Sequence, residues 1–146
     1  MQTIMMSIRA SEAEKIVTGR KNYEYRTRRP KQDVDYIVLY ENAPVSAVRY
    51  ILKITNILTP SEVPCDGIDQ NNAFHNEELR YRFAYQIDTV WECCEKIDKM
   101  MLKNKFHVAP PRSFLYLSSN DDLSCYLKNK SFLNKYHYSH FESPIT

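Results

Sequence analysis

Lys21, Glu24 and Arg26 place a cation, a carboxylate and a second cation within six residues of one another. Residues 22–26 alternate as a strand does, so Tyr23 and Tyr25 face one way while Glu24 and Arg26 share the other face. Lys21 then sits at the rim, and Arg9, at the end of the first strand, can approach it. Such a cluster suits a phosphate or nucleobase pocket. Lys21 and Arg26 would contact phosphate, and Glu24 would accept a base amino group. A Lys–Glu pair can also do acid–base work if its site moves either pKa towards neutrality. The plainer reading is an ion-pair network that closes one end of a sheet. Tyr23 and Tyr25 are expected in the core; exposed, they would stack on bases.

The surrounding charge supports a local basic patch. From Arg20 to Lys31 the chain carries Arg20, Lys21, Arg26, Arg28, Arg29 and Lys31 against the single acid Glu24, although the net charge of all 146 residues is only +2. An apolar content of 43% belongs to an ordinary globular chain, and this length suits one domain with one real core. The four cysteines form no C-x-x-C pair, and Cys93 and Cys94 would point to opposite faces of a strand. With no signal-peptide pattern, four reduced thiols in a cytoplasmic protein are expected. No apolar run reaches the roughly 18 residues of a membrane span. His137 and His140 are three apart with no third ligand, so neither a metal nor another cofactor is expected. His75 and His107 read as surface or boundary residues, and Trp91 as core or cleft edge.

Several elements must position the cluster. Residues 3–8 form an apolar strand. Ser11 and Glu14 predict a capping box for a short helix with Ala13, Ile16 and Val17 inward, ended by Gly19. Strands follow over 36–40 and 45–58, a short helix at Pro60, and a helix over 71–82 with Phe74 and Leu79 turned inward. A strand runs from Ala84 towards Cys94, and a short helix is placed within 96–106. A last short strand spans 113–117. Asn120 or Asp121 caps a C-terminal helix carrying Leu123, Tyr126, Leu127 and Phe132, and the tail from Tyr136 onward is expected to be loose. Strands outnumber helices without regular βαβ alternation. The fold class is therefore mixed α/β (α+β), a small barrel with helices at its rim.

The residues Ser7-Ile8-Arg9, Ala13-Glu14-Lys15-Ile16 and Gly19-Arg20-Lys21-Asn22-Tyr23-Glu24-Tyr25-Arg26 resemble the opening of the ASCH domain family, G-x-K-x-x-E-x-R. The segment from Tyr40 to Val48, then Ala84-Tyr85-Gln86-Ile87 and Pro110-Pro111-Arg112-Ser113-Phe114-Leu115-Tyr116-Leu117, resemble its later parts. The likeness spans about residues 3–118. It implies a PUA-like β-barrel with a cleft beside the first helix, and an ASCH domain over 1–118 followed by a helical extension and tail over 119–146.

The family is proposed to bind RNA, and some members are hydrolases of acylated cytidine or of RNA. The resemblance therefore implies an RNA- or nucleotide-binding module. Its expected ligand contacts are Arg9, Lys21, Glu24, Arg26 and Ser113, and Lys21 and Glu24 are the catalytic pair if it is a hydrolase. The acylated-cytidine hydrolases carry a threonine nucleophile where this chain has Glu24, and a carboxylate does not replace that hydroxyl as an acyl acceptor. A protein partner through the C-terminal helix is a third reading.

Overall fold

The computed structural model describes residues 2–118, 121–128 and 132–137. In chain order these form β1 (Thr3–Ile8), α1 (Ala10–Val17), β2 (Tyr23–Arg26), β3 (Tyr36–Glu41) and β4 (Ala47–Leu58). A 3₁₀ turn (Pro60–Glu62), α2 (Asn71–His75), β5 (Phe83–Asp98), α3 (Lys99–Phe106), β6 (Phe114–Leu117), α4 (Asp122–Lys128) and β7 (Phe132–His137) follow. One curled sheet takes all seven strands in the order β2-β5-β4-β3-β1-β6, with β7 also paired to β5. Only β1 and β3 run parallel; the other pairs are antiparallel. The result is a half-barrel of mixed α+β class.

Both faces of the central strands are buried, which explains their near-continuous apolar sequences. Along β1 and β3, Ile4, Met6, Ile37 and Leu39 enter one core with Ala13 and Ile16 of α1. Their neighbours Met5, Val38 and Tyr40 enter a second core, covered by Leu102 and Phe106 of α3 and Leu123 and Leu127 of α4. The two-residue period of a strand thus feeds two cores. A third cluster joins Tyr23 and Tyr25 of β2 to Val63, Phe74 and Ala84, so both tyrosines are core residues.

Three local expectations are corrected. First, α1 begins one residue earlier than Ser11. Arg9 stands at its N-cap with no side-chain cap, because β1 runs straight into the helix and the Arg9 carbonyl already accepts from Glu12 and Ala13. Second, the helix expected over 71–82 stops at His75. Glu77 adopts φ 58°, its N–H donates to Phe74 and that of Glu78 to Ala73, the pattern of a left-handed helix stop. Phe74 and Leu79 are five apart, a spacing that a single helical stripe does not provide. Third, Phe132 is not helical. It opens β7, where Tyr136 and His137 lie opposite Val90 and Thr89. The strand therefore continues through the start of the tail expected to be loose. His140 and the rest of the tail lie outside the described residues.

The C-terminal helix is held through Asp121, whose side chain accepts from the Ser124 N–H at 2.8 Å, and through buried Leu123 and Leu127. Replacing Leu123 by Ala should destabilise the protein by about 2–5 kcal/mol in urea unfolding, the usual cost of a deleted core leucine. A change below about 0.5 kcal/mol would show that α4 does not share the core.

Candidate functional site

The site is built from the end of α1. Gly19, at φ 80°, leaves the helix in the left-handed region. Its N–H donates to Ile16, and the N–H groups of Arg20 and Lys21 both donate to Lys15. This Schellman exit reverses the chain into β2 within three residues, and that reversal fixes Lys21 beside its own helix. Ile8 and Arg9, where β1 passes into α1, lie alongside.

Glu24 is the centre of the cluster. Its Oε2 accepts from Arg26 Nε at 2.7 Å, and its Oε1 faces Lys21 Nζ at 3.0 Å. Lys21 Nζ also donates to Glu12 Oε1 at 2.7 Å, and Lys15 holds the other oxygen of Glu12 at 3.1 Å. Arg26 extends the chain of contacts by donating from Nη2 to the Ser7 carbonyl at 2.8 Å. The side chains of Lys21 and Glu24 are only 5% and 6% exposed. Nearby, Asn71 donates to Asn22 and Asp66 and accepts from the Tyr25 hydroxyl, which pins α2 onto β2.

Burial pulls the Lys21 pKa down, but the Glu24 charge and the Glu12 hydrogen bond and charge outweigh it, so the ammonium is held above its ordinary value. Burial likewise pushes Glu12 up, yet Lys21 and Lys15 bring it below the ordinary carboxylate range. Tyr25 is pushed well above a normal phenol, first by burial and then by Asp69 and Asp66. At neutral pH the Glu12–Lys21 pair is therefore charged on both sides. Its lysine keeps its proton.

A cavity of about 540 Å³ opens over this cluster. Every expected contact reaches its lining: Arg9, Lys21, Glu24, Arg26 and Ser113. They do not reach it equally. Lys21 and Glu24 are buried in the floor and Arg26 is 19% exposed, whereas Arg9 and Ser113 are open to solvent. Three exposed arginines absent from the expected site, Arg28, Arg80 and Arg112, complete the wall. Arg28 lay in the basic run and Arg112 stands beside Ser113, so both had a signal. Arg80 had none, because its position depends on α2 stopping early. Glu12 was also missed; its role follows from the reversal at Gly19. Among the described residues no group of three or more His, Cys, Asp or Glu could hold a metal ion.

Lys21→Ala would remove the buried cation between two carboxylates, leaving Glu12 to Lys15 and Glu24 to Arg26. It should cost about 1–3 kcal/mol, less than a fully unpaired buried charge costs, because each carboxylate keeps a second cation. The pH dependence follows from the signs. The depressed Glu12 gives stability that is present above its unfolded pKa and is lost as pH falls through its folded value. The raised Lys21 gives stability that is present below its unfolded pKa and is lost as pH rises through its folded value. In urea unfolding across pH, Lys21→Ala should shrink both limbs, leaving on the alkaline side the part that the raised tyrosines Tyr25 and Tyr85 contribute. Parallel curves for the two proteins would contradict this electrostatic assignment.

Comparison with known proteins agrees with the fold. The ASCH domain model matches residues 6–114. No curated protein matches. The fold is similar to the crystal structure of ASCH from Zymomonas mobilis, with a TM-score of 0.68 and 19% identity over 88% of this chain and 96% of that one. Two mutant forms of that protein are similar as well. One has a TM-score of 0.69 and 19% identity over 90% of this chain and 100% of that one. The other has a TM-score of 0.66 and 18% identity over 88% of this chain and 96% of that one. At this identity the structural likeness speaks to fold alone, but the family model spans most of the chain. The chain belongs to the ASCH domain family.

Proposed function

We propose that the cavity binds RNA or a nucleotide through its exposed arginine wall, and that the buried Lys21–Glu24–Arg26 cluster holds that wall in place. One observation carries this reading. Six cationic side chains line the cavity against two carboxylates, and both carboxylates are already paired with cations. The remaining positive charge sits on Arg9, Arg28, Arg80 and Arg112 at the mouth, where phosphate oxygens can reach it. Tyr81, half-buried in the same wall, stacks on Tyr25 with ring centroids 6.5 Å apart, and the Arg80 guanidinium lies 5.3 Å from its centroid, an arginine–aromatic pair on which a base would stack. Ser113 and Asn42 add polar groups.

The rival reading is a hydrolase using Lys21 and Glu24 for proton transfer. The raised Lys21 pKa weighs against it, because a base that keeps its proton at neutral pH cannot accept one. Glu24 Oε1 is also buried beneath Lys21. In this reading Glu24 orients the two cations rather than contacting a base. The protein-partner reading through α4 is weakened by burial of Leu123 and Leu127 in the core. We place an RNA ligand and a chain without disulfides among its described residues in the cytoplasm. We take residues 1–118 as the binding domain and 119–146 as its extension. Among the described residues no helix is long and apolar enough to cross a membrane.

Arg28→Ala and Arg112→Ala should each weaken binding of single-stranded RNA. Each should flatten the log–log salt dependence by about 0.7, the value for one phosphate contact, with the folded-state circular dichroism unchanged. Unaltered affinity and slope in both would remove the cavity as the RNA site. The hydrolase is tested by incubating the protein with mixed RNA and with acylated nucleosides, and no products are expected. Products that vanish in folded Lys21→Arg and Glu24→Gln variants would replace the binding module with an enzyme.

A further inference from the structure

A second groove lies at the same end of the sheet as the cavity. Its volume is about 520 Å³, and it is lined by Lys99, Lys103 and His107 together with Val108, Ala109 and Pro110. The three basic positions follow one another at steps of four along α3 and its C-cap, so they form one stripe. Lys99 and Lys103 are exposed, and neither makes an ion pair among the described residues.

Two stretches of chain join this groove to the cavity. Pro110 ends one wall of the groove, and Arg112 and Ser113 belong to the cavity. The Cα atoms of Pro110 and Arg112 are at most about 7 Å apart. Between them the Pro111 carbonyl is fixed by the Ser7 hydroxyl at 2.6 Å. The second link is the turn between β3 and β4. Asn42 lines the cavity, its carbonyl accepts from the Ser46 N–H at 3.4 Å, and the Ser46 carbonyl accepts from the Lys99 N–H at 3.0 Å. Through Pro110–Arg112 and the turn after β3, the groove therefore adjoins the Arg112 side of the cavity.

We propose that Lys99 and Lys103 form a second phosphate subsite, so that the ligand is a single-stranded oligonucleotide running from the arginine cavity onto α3, and not a free nucleotide. This rests on the nucleic-acid reading of the cavity and narrows it. The charge argument selects the occupant: an uncompensated basic stripe beside apolar chain suits a polyanion with aromatic bases. A mononucleotide or dinucleotide would fill the cavity and leave the stripe untouched. An oligonucleotide would neutralise both.

The test compares two fluorescently labelled probes, the dinucleotide ApA and an oligo(A) of about eight nucleotides, a length within the usual site size of a single-strand-binding fold. Binding is followed by anisotropy across a salt series for wild type, for Lys99→Ala/Lys103→Ala and for Arg28→Ala/Arg112→Ala. Wild type should bind the longer probe more tightly. The lysine variant should lose about 25-fold on that probe at 0.1 M salt, the equivalent of a slope flatter by about 1.4, and should bind ApA as wild type does. An unchanged affinity for the longer probe overturns the subsite. So does an equal loss on ApA, which would mean that the lysines act through the cavity. Failure of the underlying reading looks different: the arginine variant would bind both probes as wild type does, or wild type would bind neither and both proposals would fall.

Discussion

A carboxylate buried to 6% exposure has to be paired, and the pairing of Glu24 organises this end of the molecule. Its partners are close in sequence, Lys21 three residues before it and Arg26 two residues after. Each partner then reaches a different element. Lys21 takes hold of Glu12 on α1, and Arg26 takes hold of the Ser7 carbonyl on β1. In the sheet β2 pairs only with β5, while β1 lies three strands further along. The Arg26 bond therefore ties one margin of the curled sheet across the open side to its far end. On a solvated surface such pairs would contribute little. Here they are secluded, and the geometry of three elements depends on them.

That constraint separates two tasks that the sequence presents as one. Lys21, Glu24 and Arg26 of the opening motif form the floor: Lys21 and Glu24 are buried, Arg26 mostly so, and the three are paired with one another. The exposed cations at the mouth come from the start of α1, the loop after β2, the approach to β5 and the Pro-Pro segment before β6. They are long, cationic and exposed. On the proposed reading, a buried floor with an exposed cationic rim would hold backbone phosphates without prescribing base sequence, because phosphate contacts position a strand and do not read it.

Much of this was legible in the residues. Gly19 marked the reversal, the alternation from Asn22 to Arg26 separated Glu24 and Arg26 from the tyrosines, and the apolar runs of β1 and β3 announced strands. Arg9 and Ser113 were placed at the cavity. What stayed hidden depended on tertiary context. Nothing in Asn76-Glu77-Glu78 forbids a helix, so its end at His75 came from Phe74 packing under β2, and Arg80 could not be located without it. Burial of Lys21 was equally invisible. A lysine before a strand reads as a rim residue until α1 is seen to bring Glu12 against it. The pairing of Phe132 with Cys93 joins strands separated in sequence by α3, β6 and α4, a contact that local propensity does not register.

The central claim is that the motif cluster is scaffold and the arginine rim is the contact surface. The most direct measurement is the side-chain nitrogen spectrum of the protein, ¹⁵N-labelled on Lys and Arg, during titration with single-stranded RNA. The account predicts that the Nε–H signals of Arg28, Arg80 and Arg112 move with added RNA. The Lys21 ammonium, secluded between Glu12 and Glu24, should stay protonated, slow to exchange and unshifted. A Lys21 signal that moves with RNA while the three rim arginines stay still would contradict it.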